Sequence, residues 1–173
     1  MPSINKVTET DFLAKIQKHS GIIIRLTRVY CDNAEDRQDL QQEILYQLWK
    51  SLAAFKGESA FSTWMYRIAV NTCLLNIKKN KRYNIITFPD KFPEIADETN
   101  TFSFEQREKN NLFYSAIHQL NPTEKAIVFY HLEEQSHREI ANNLGISEVN
   151  ARVKLNRIKE KIKEIIKKQG YEF

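Results

Sequence analysis

The chain of 173 residues is poor in glycine, proline and cysteine, with four, four and two of them respectively. Sheet-rich folds connect many short strands through turns that favour glycine and proline, so this scarcity argues against a β-rich protein. Long stretches with apolar residues three or four positions apart are present instead, and they predict an all-α fold. Cys31 and Cys73 lack the paired spacing of metal ligands, and we expect buried thiols rather than a disulfide.

The sequence also lacks a signal-peptide pattern and any apolar run that approaches the length of a membrane span. We therefore expect a cytoplasmic protein without direct membrane insertion. The four histidines are scattered, no glycine-rich phosphate loop occurs, and neither cysteine lies in a nucleophile motif. These absences predict no catalytic residues, no bound metal, no cofactor and no enzymatic activity.

The net charge is only +4, but the charges are unevenly distributed. Residues 51–82 contain six basic residues and one acidic residue, whereas residues 83–120 contain three basic and six acidic residues. Residues 121–173 contain ten basic and eight acidic residues. Two basic stretches therefore flank an acidic one, and this arrangement favours two separate nucleic-acid contacts over a single contact.

Apolar periodicity predicts two small helical domains, of which residues 1–82 form the first. We expect one or two helices over 9–30, broken or kinked at Gly21, and further helices over about 34–54 and 61–79.

Residues 83–107 mix prolines, acids and polar residues without a period, which is typical of a flexible acidic linker. Helical periodicity resumes near Phe104, and residues 108–173 form the second domain. Its clearest helix start is the tetrapeptide Asn121–Glu124, where an asparagine cap, a proline at the first helical position and a capping-box glutamate coincide.

The segment from Ser136 to Ile166 has the pattern of a helix-turn-helix. Ser136 and Glu139 form a capping box, Gly145 suits the positive φ that ends a helix, and Ser147 can cap the next helix. The second helix of such a motif enters the major groove of DNA. The plainer alternative is a pair of bundle helices with a solvated basic face. The apolar stripe comprises Ala151, Leu155, Ile158, Ile162 and Ile165, and the basic residues opposite it are Arg152, Lys154, Arg157, Lys159, Lys161 and Lys163.

Val149 and Val153 lie off the apolar stripe of this second helix. With Ala151 and Leu155 turned to the core, the two valines should face DNA, where they can contact thymine methyl groups. The remaining candidates for contacts to bases or phosphates are polar: Ser147, Glu148, Asn150, Arg152, Lys154, Asn156 and Arg157.

In the first domain, three carboxylates share one helix face because they lie three and four residues apart. They belong to Asp36, Asp39 and Glu43, and Gln42 lies beside them. A metal site or an acid–base pair would need a further ligand that the spacing does not supply. The open alternatives are a solvated acidic face and a docking surface for a basic or polar partner helix.

The third helix and the loop before it combine aromatic and basic residues. Phe55, Phe61, Trp64 and Tyr66 surround a Gly-Ser loop, and a basic stretch follows. Such a composition suits a surface that stacks unpaired bases and neutralises phosphates. The alternative is that the aromatic rings form core, which we expect for Trp64 in line with Ile68. The polar and basic candidates are Arg67, Asn71, Lys78 and Lys79.

Together these segments resemble a sigma-70-family RNA polymerase sigma factor of the extracytoplasmic-function class. In the first domain the resemblance rests on Ala34–Asp36, Gln42–Glu43, Leu48–Trp49 and, more strongly, on FKGESAFSTWMYRIAVN at 55–71. In the second domain it rests on Leu120-Asn121-Pro122 and the helix-turn-helix.

The resemblance implies a role for each segment. The first domain would be sigma region 2, whose acidic-polar face docks on the clamp helices of core polymerase. The segment from Phe55 to Lys79 would melt the −10 element and hold a flipped non-template base, with Asn71 lining that pocket. The second domain would be sigma region 4, which binds the −35 duplex and the polymerase flap. The implied partners are core RNA polymerase, promoter DNA in duplex and single-stranded form, and an anti-sigma factor.

Two functions of other classes remain as alternatives. A helix-turn-helix regulator would bind a palindrome as a dimer without polymerase. The first domain speaks against it because it shows no apolar seam beyond its own core. An enzyme is the weakest alternative, since the chain lacks the motifs named above.

Overall fold

The computed structural model describes residues 8–76 and 103–171. Within these ranges all regular structure is helical and no strand occurs, which confirms the predicted all-α fold. Eight α-helices and one short 3₁₀ turn, Leu52–Ala54, are present in the described ranges. The α-helices are α1 (Glu9–Lys18), α2 (Ser20–Tyr30), α3 (Ala34–Ser51), α4 (Phe61–Asn76), α5 (Phe104–His118), α6 (Pro122–Leu132), α7 (His137–Leu144) and α8 (Glu148–Lys168).

The chain divides into two compact units. Among the described residues, the first unit contains α1, α2 to Thr27, α3 from Glu35, and α4. The second unit contains residues 28–34 and the helices α5 to α8. The boundaries 1–82, 83–107 and 108–173 stay a prediction.

The break between the first two helices falls at His19 rather than at Gly21. Asp11 closes a capping box with Thr8 at the start of α1, and α1 ends where His19 adopts φ −109° and ψ 15°. The Ser20 hydroxyl then donates to the Gln17 carbonyl at 2.9 Å. Gly21 lies inside α2, where a Cβ would sit 2.9 Å from the guanidinium of Arg25.

The core of the first unit forms where α1 to α4 turn their apolar stripes inward. The apolar stripe of α3, formed by Leu40, Ile44 and Leu48, is buried, whereas Leu52, in the 3₁₀ turn, is only half-buried. One polar side chain in this core is Thr27, which is fully buried. Its hydroxyl donates to the Ile24 carbonyl at 3.1 Å and accepts from the Gln41 amide at 3.4 Å, so its burial leaves no unmatched polar atom.

An aromatic cluster joins α1, α3 and the loop before α4. The ring of Phe61 lies 6.3 Å from that of Phe12, 5.8 Å from Phe55 and 5.2 Å from Trp64. Phe12 also lies 5.3 Å from Trp49 in an edge-to-face arrangement. Such pairs contribute about 0.5–1.5 kcal/mol each beyond their area of burial. The cluster therefore holds the N-terminal end of α4 against α1.

Helix α6 is buried in its middle part. Five consecutive residues, Ala126 to Tyr130, are buried, so this part of the helix is enclosed on all sides. Helix α8 contacts α5, α6 and α7. Its buried stripe consists of Ala151, Leu155, Ile158, Ile162 and Ile166.

Side-chain caps set the helix starts in this unit where the sequence predicts them. The Asn121 side chain accepts from the Glu124 N–H at 2.9 Å, and Glu124 accepts from the Asn121 N–H at 3.0 Å. The same exchange joins Ser136 and Glu139 at 3.2 and 2.7 Å. Gly145 ends α7 with φ 67°, a left-handed conformation that suits a residue without Cβ.

Two of these capping carboxyl groups have shifted pKa values. Hydrogen bonds from the backbone N–H and the hydroxyl of Ser136 lower the pKa of Glu139 below its usual value. Burial raises the pKa of Glu124, but hydrogen bonds from Lys161 and the Asn121 N–H outweigh it, and the net shift is downward. A carboxyl group with a lowered folded-state pKa stabilises the fold above its unfolded pKa. This stabilisation is lost as the pH falls through the lowered value.

We expect Ser136→Ala to destabilise the second unit by about 1 kcal/mol, because the substitution removes the side-chain cap of α7. Hydrogen exchange of the α6 to α8 amides, read by mass spectrometry across a urea series, measures the loss. Ser115→Ala is the matched control, since Ser115 is exposed within α5 and alanine is the strongest helix former. Equal effects of the two substitutions would contradict the capping role.

We expect Phe61→Ala to lower the free energy of unfolding of the first unit by about 3 kcal/mol, because it leaves a cavity in the aromatic cluster. Both tryptophans of the chain, Trp49 and Trp64, lie in this unit, so tryptophan fluorescence in urea follows its unfolding. Phe104→Ala is the control: Phe104 is 84% exposed, and its loss should change stability by less than about 0.5 kcal/mol. A Phe61 effect equally small would exclude a core role for this ring.

Candidate functional site

The acidic face of α3 comprises Asp36, Asp39, Gln42 and Glu43. Gln42 is exposed, and the three carboxylates are half-buried along one side of the helix. The Gln47 amide, one helical turn further along α3, donates to Glu43 Oε1 at 2.9 Å and holds that carboxylate in place. The face thus presents carboxylate acceptors in a partly ordered arrangement, which suits a partner rich in hydrogen-bond donors.

Across residues 8–76 and 103–171, no group of three or more histidine, cysteine, aspartate or glutamate side chains could hold a metal ion. A metal reading of the α3 carboxylates therefore finds no support there. The same ranges contain no helix long and apolar enough to cross a membrane.

Helix α4 carries an exposed stripe along its length. Thr63, Arg67, Asn71 and Leu75 follow one another at intervals of four residues and are all exposed. Arg67 and Asn71, two of the polar and basic candidates from the sequence, therefore share one face of α4. Leu75 also belongs to this stripe, with 58% of its surface exposed, and it was not among the residues that the sequence predicted. Lys78 and Lys79 lie outside the described residues.

The aromatic residues near the start of α4 divide into a buried ring and half-buried rings. Phe61 is only 8% exposed and packs within the aromatic cluster, so its ring has no free face for a base. Phe55, Trp64 and Tyr66 are half-buried. The expectation that Phe61 takes part in base contact is not supported by this packing, because stacking would first require the ring to leave the core.

The outer face of α8, together with the Ser147 cap that precedes it, contains every residue predicted to contact duplex DNA, and each is exposed. The buried stripe matches the prediction at Ala151 to Ile162, but Ile166 is the last buried residue and Ile165 is half-buried. Val149 and Val153 are 61% and 39% exposed, as expected for residues turned away from the core. The Ser147 hydroxyl accepts from the Asn150 N–H at 3.1 Å and fixes the start of the helix. The exposed set is Ser147, Glu148, Val149, Asn150, Arg152, Val153, Lys154, Asn156 and Arg157.

Some cations of the basic face form ion pairs within the fold. Lys161 contacts Glu124 of α6 at 2.9 Å, and Lys163 contacts Glu160 at 2.9 Å. The second pair is visible in the sequence because its partners lie three residues apart on one helix. The first joins residues 37 positions apart and has no local signal. The cations nearer the start of α8 therefore have the stronger case for contacting a ligand.

Sigma factors occur among the solved structures and the curated sequences that are similar to this chain. A structure of the sigma factor RpoE with the anti-sigma factor NepR from Bartonella quintana aligns with a TM-score of 0.65 at 14% identity and covers 91% of this chain and 97% of that one. The ECF RNA polymerase sigma factor SigM of Mycobacterium tuberculosis is 25% identical over 87% of this chain and 74% of its own length. SigG of the same organism is 23% identical over 90% of this chain, which spans only 48% of SigG.

Two family models match in succession. The model Sigma-70 region 2 matches residues 16–83, which include the acidic face of α3 and the stripe of α4. The model Sigma-70, region 4 matches residues 110–162, which include the helix-turn-helix. The order of these matches along one chain, with ECF sigma factors among the relatives, confirms the predicted resemblance. The chain belongs to the sigma-70 family and, within it, to the extracytoplasmic-function class.

Proposed function

We propose that this chain is a promoter-specificity subunit that binds core RNA polymerase and directs initiation from promoters with −35 and −10 elements. The observation that carries the proposal is the exposed, cation-bearing outer face of α8, in a chain that also matches Sigma-70 region 2. A helix-turn-helix alone accounts for duplex binding, whereas the pairing with region 2 adds polymerase docking and strand opening.

The acidic face of α3 is the proposed docking surface for the clamp helices of core polymerase. Its carboxylates are half-buried, so a partner removes less water from them on binding than it would from fully exposed groups. Charge-assisted hydrogen bonds to these carboxylates are roughly twice as strong as hydrogen bonds between neutral groups. Asp39 is the best single probe because it makes no hydrogen bond within the described residues, whereas Glu43 accepts from Gln47. The second unit contributes the contact to the polymerase flap.

The stripe of α4 is the proposed site of −10 recognition and melting. Extruding a base from the duplex costs a few kcal/mol, and stacking on an aromatic ring returns about 1–3 kcal/mol per base. Phe55 and Tyr66 are half-buried and retain exposed surface for such stacking. Arg67 can neutralise a phosphate, and the Asn71 amide can hydrogen-bond an unpaired base edge. Lys78 and Lys79 extend this basic surface in the proposal.

The proposal includes an anti-sigma factor, since a structure similar to this chain contains one. It places the protein in the cytoplasm, where core polymerase acts, and assigns it no catalytic activity of its own. Transcription assays with purified core polymerase on a library of genomic fragments test the whole proposal. We expect start sites that appear only when this chain is added; an unchanged set of transcripts would overturn the proposal.

We expect Asp39→Lys to reduce the affinity for core polymerase by at least tenfold. The substitution replaces a carboxylate acceptor with a cation, which repels the donor groups of the partner at the docking surface. Binding is measured by fluorescence anisotropy of the labelled chain with core enzyme. Glu9→Lys makes the same change of charge at an exposed site on α1 and should leave affinity within about twofold. Adding Glu43→Lys to Asp39→Lys should weaken binding further. Equal affinities for all variants would remove α3 from the interface.

We expect Asn71→Ala to slow transcription from a duplex promoter about three- to tenfold, because the loss of one hydrogen bond to a captured base costs about 1 kcal/mol. On a template already open at the −10 element, Arg67→Ala should recover if Arg67 assists melting, whereas Asn71→Ala should stay defective because it holds the base. Asn110→Ala, at an exposed position of α5, is the control and should behave as the parent. Full recovery of Asn71→Ala on the open template would contradict its role in base capture.

A further inference from the structure

The first two turns of α8 carry an exposed apolar pair in an otherwise polar surface. Val149 is 61% exposed and Val153 is 39% exposed. Neither residue belongs to the buried stripe that holds α8 in place. Valine is also a poorer helix former than alanine, lysine or glutamate, so helix propensity does not account for its presence at two exposed positions. The pair lies four residues apart and therefore on one face.

The register of α8 places this pair opposite the core. At about 100° per residue, Ala151 lies about 160° around the helix from both Val149 and Val153. Leu155 lies about 160° from Val153 on the other side. Because both of these residues are buried, Val153 points almost directly away from the second unit. A duplex that receives the outer face of α8 in its major groove meets the valines at the centre of the contact.

Cations lie at both edges of the apolar pair. Arg152 and Lys154 precede and follow Val153, about 100° to either side of it, and both are exposed. Lys154 is also close enough to Glu124 of α6 to help lower the pKa of that carboxyl group, which identifies its edge as the one nearer α6. A groove is bordered by two phosphate backbones, so cations at the two edges match its charge while the centre faces base edges.

We propose that Val149 and Val153 read the 5-methyl groups of thymines in the −35 duplex, while Arg152 and Lys154 hold the two flanking phosphate backbones. The thymine methyl is the apolar group that the major groove presents, and apolar side chains are its usual contacts. This inference rests on the proposed function and specifies what its −35 contact reads. Residues four apart on a helix are about 6 Å apart along its axis. The two methyls should therefore lie within about two base-pair steps, on either strand.

The first step of the test obtains the duplex without assuming its sequence. The full-length chain, with core polymerase and separately alone, selects from duplexes whose −35 region is randomised. Each thymine of the selected region is then replaced by deoxyuridine, which retains all hydrogen-bonding groups and lacks only the methyl. Dissociation constants are measured for the parent, Val149→Ala, Val153→Ala and a control, Leu132→Ala, whose parent residue is 40% exposed on α6.

We expect deoxyuridine to raise the dissociation constant about fourfold at one or two positions and to have no effect elsewhere. Fourfold corresponds to about 0.8 kcal/mol, the value of one buried methylene-sized group. In the matching valine variant this methyl sensitivity should disappear, whereas Leu132→Ala should keep it. Arg152→Gln should weaken binding to all duplexes alike and reduce the salt dependence by about one counterion.

Three results would overturn the inference. These are a selected −35 sequence without thymine, methyl sensitivity at no position, or methyl sensitivity that persists in both valine variants. Unchanged affinity for every duplex in both valine variants belongs to the third of these results and would favour a protein partner for the apolar pair. Failure of the inference differs from failure of the sigma role. In the first case transcription with core polymerase starts normally but ignores the thymine methyls, and in the second the chain alone selects a methyl-sensitive duplex but supports no initiation.

Discussion

The second unit depends on the register of α8, because this one helix both completes the core and presents the outer face. Its stripe from Ala151 to Ile166 packs against α5, α6 and α7. Each buried residue at a three- or four-residue interval leaves the opposite positions to solvent, so the core determines which side chains a duplex can meet. A rotation by one residue, about 100°, would bury a cation and expose a core leucine. Burial of an unpaired charge costs several kcal/mol, which makes the register strongly specified.

Local hydrogen bonds determine where α7 and α8 begin. Ser136 and Glu139 satisfy each other's free backbone donors at the start of α7, and Ser147 does the same for one donor of α8. Gly145 turns the chain between them at a positive φ that a β-carbon would strain. Two fixed ends and a turn of defined shape leave little freedom in the angle between α7 and α8. The geometry of the outer face therefore follows from a few polar residues that do not lie on it.

These local features are the ones that the sequence predicts well. The caps at Asn121 and Ser136, the turn at Gly145 and the exposure of Val149 follow from spacing and residue type, and the structure confirms them. Features that depend on tertiary packing could not be predicted in the same way. The sequence pattern cannot tell that Phe61 is enclosed by Phe12 of a distant helix, since an aromatic ring beside a glycine loop is equally consistent with a surface. The ion pair of Lys161 with Glu124 is hidden for the same reason.

The burial of Phe61 also bears on the proposal that α4 opens a duplex. A surface that captures a flipped base has only about 1–3 kcal/mol per stacked base to offset the cost of extrusion, so it cannot also pay for rearranging its own core. Five aromatic rings from α1, α3, α4 and the preceding loop hold the start of α4 in place before any ligand arrives. Arg67 and Asn71 lie about two and about three turns beyond Phe61, on the exposed side of the same helix. A rigid helix that presents exposed polar groups loses less entropy on binding than a mobile loop would. Under the proposed function, Phe61 would support base capture by holding the helix in place rather than by contacting the base.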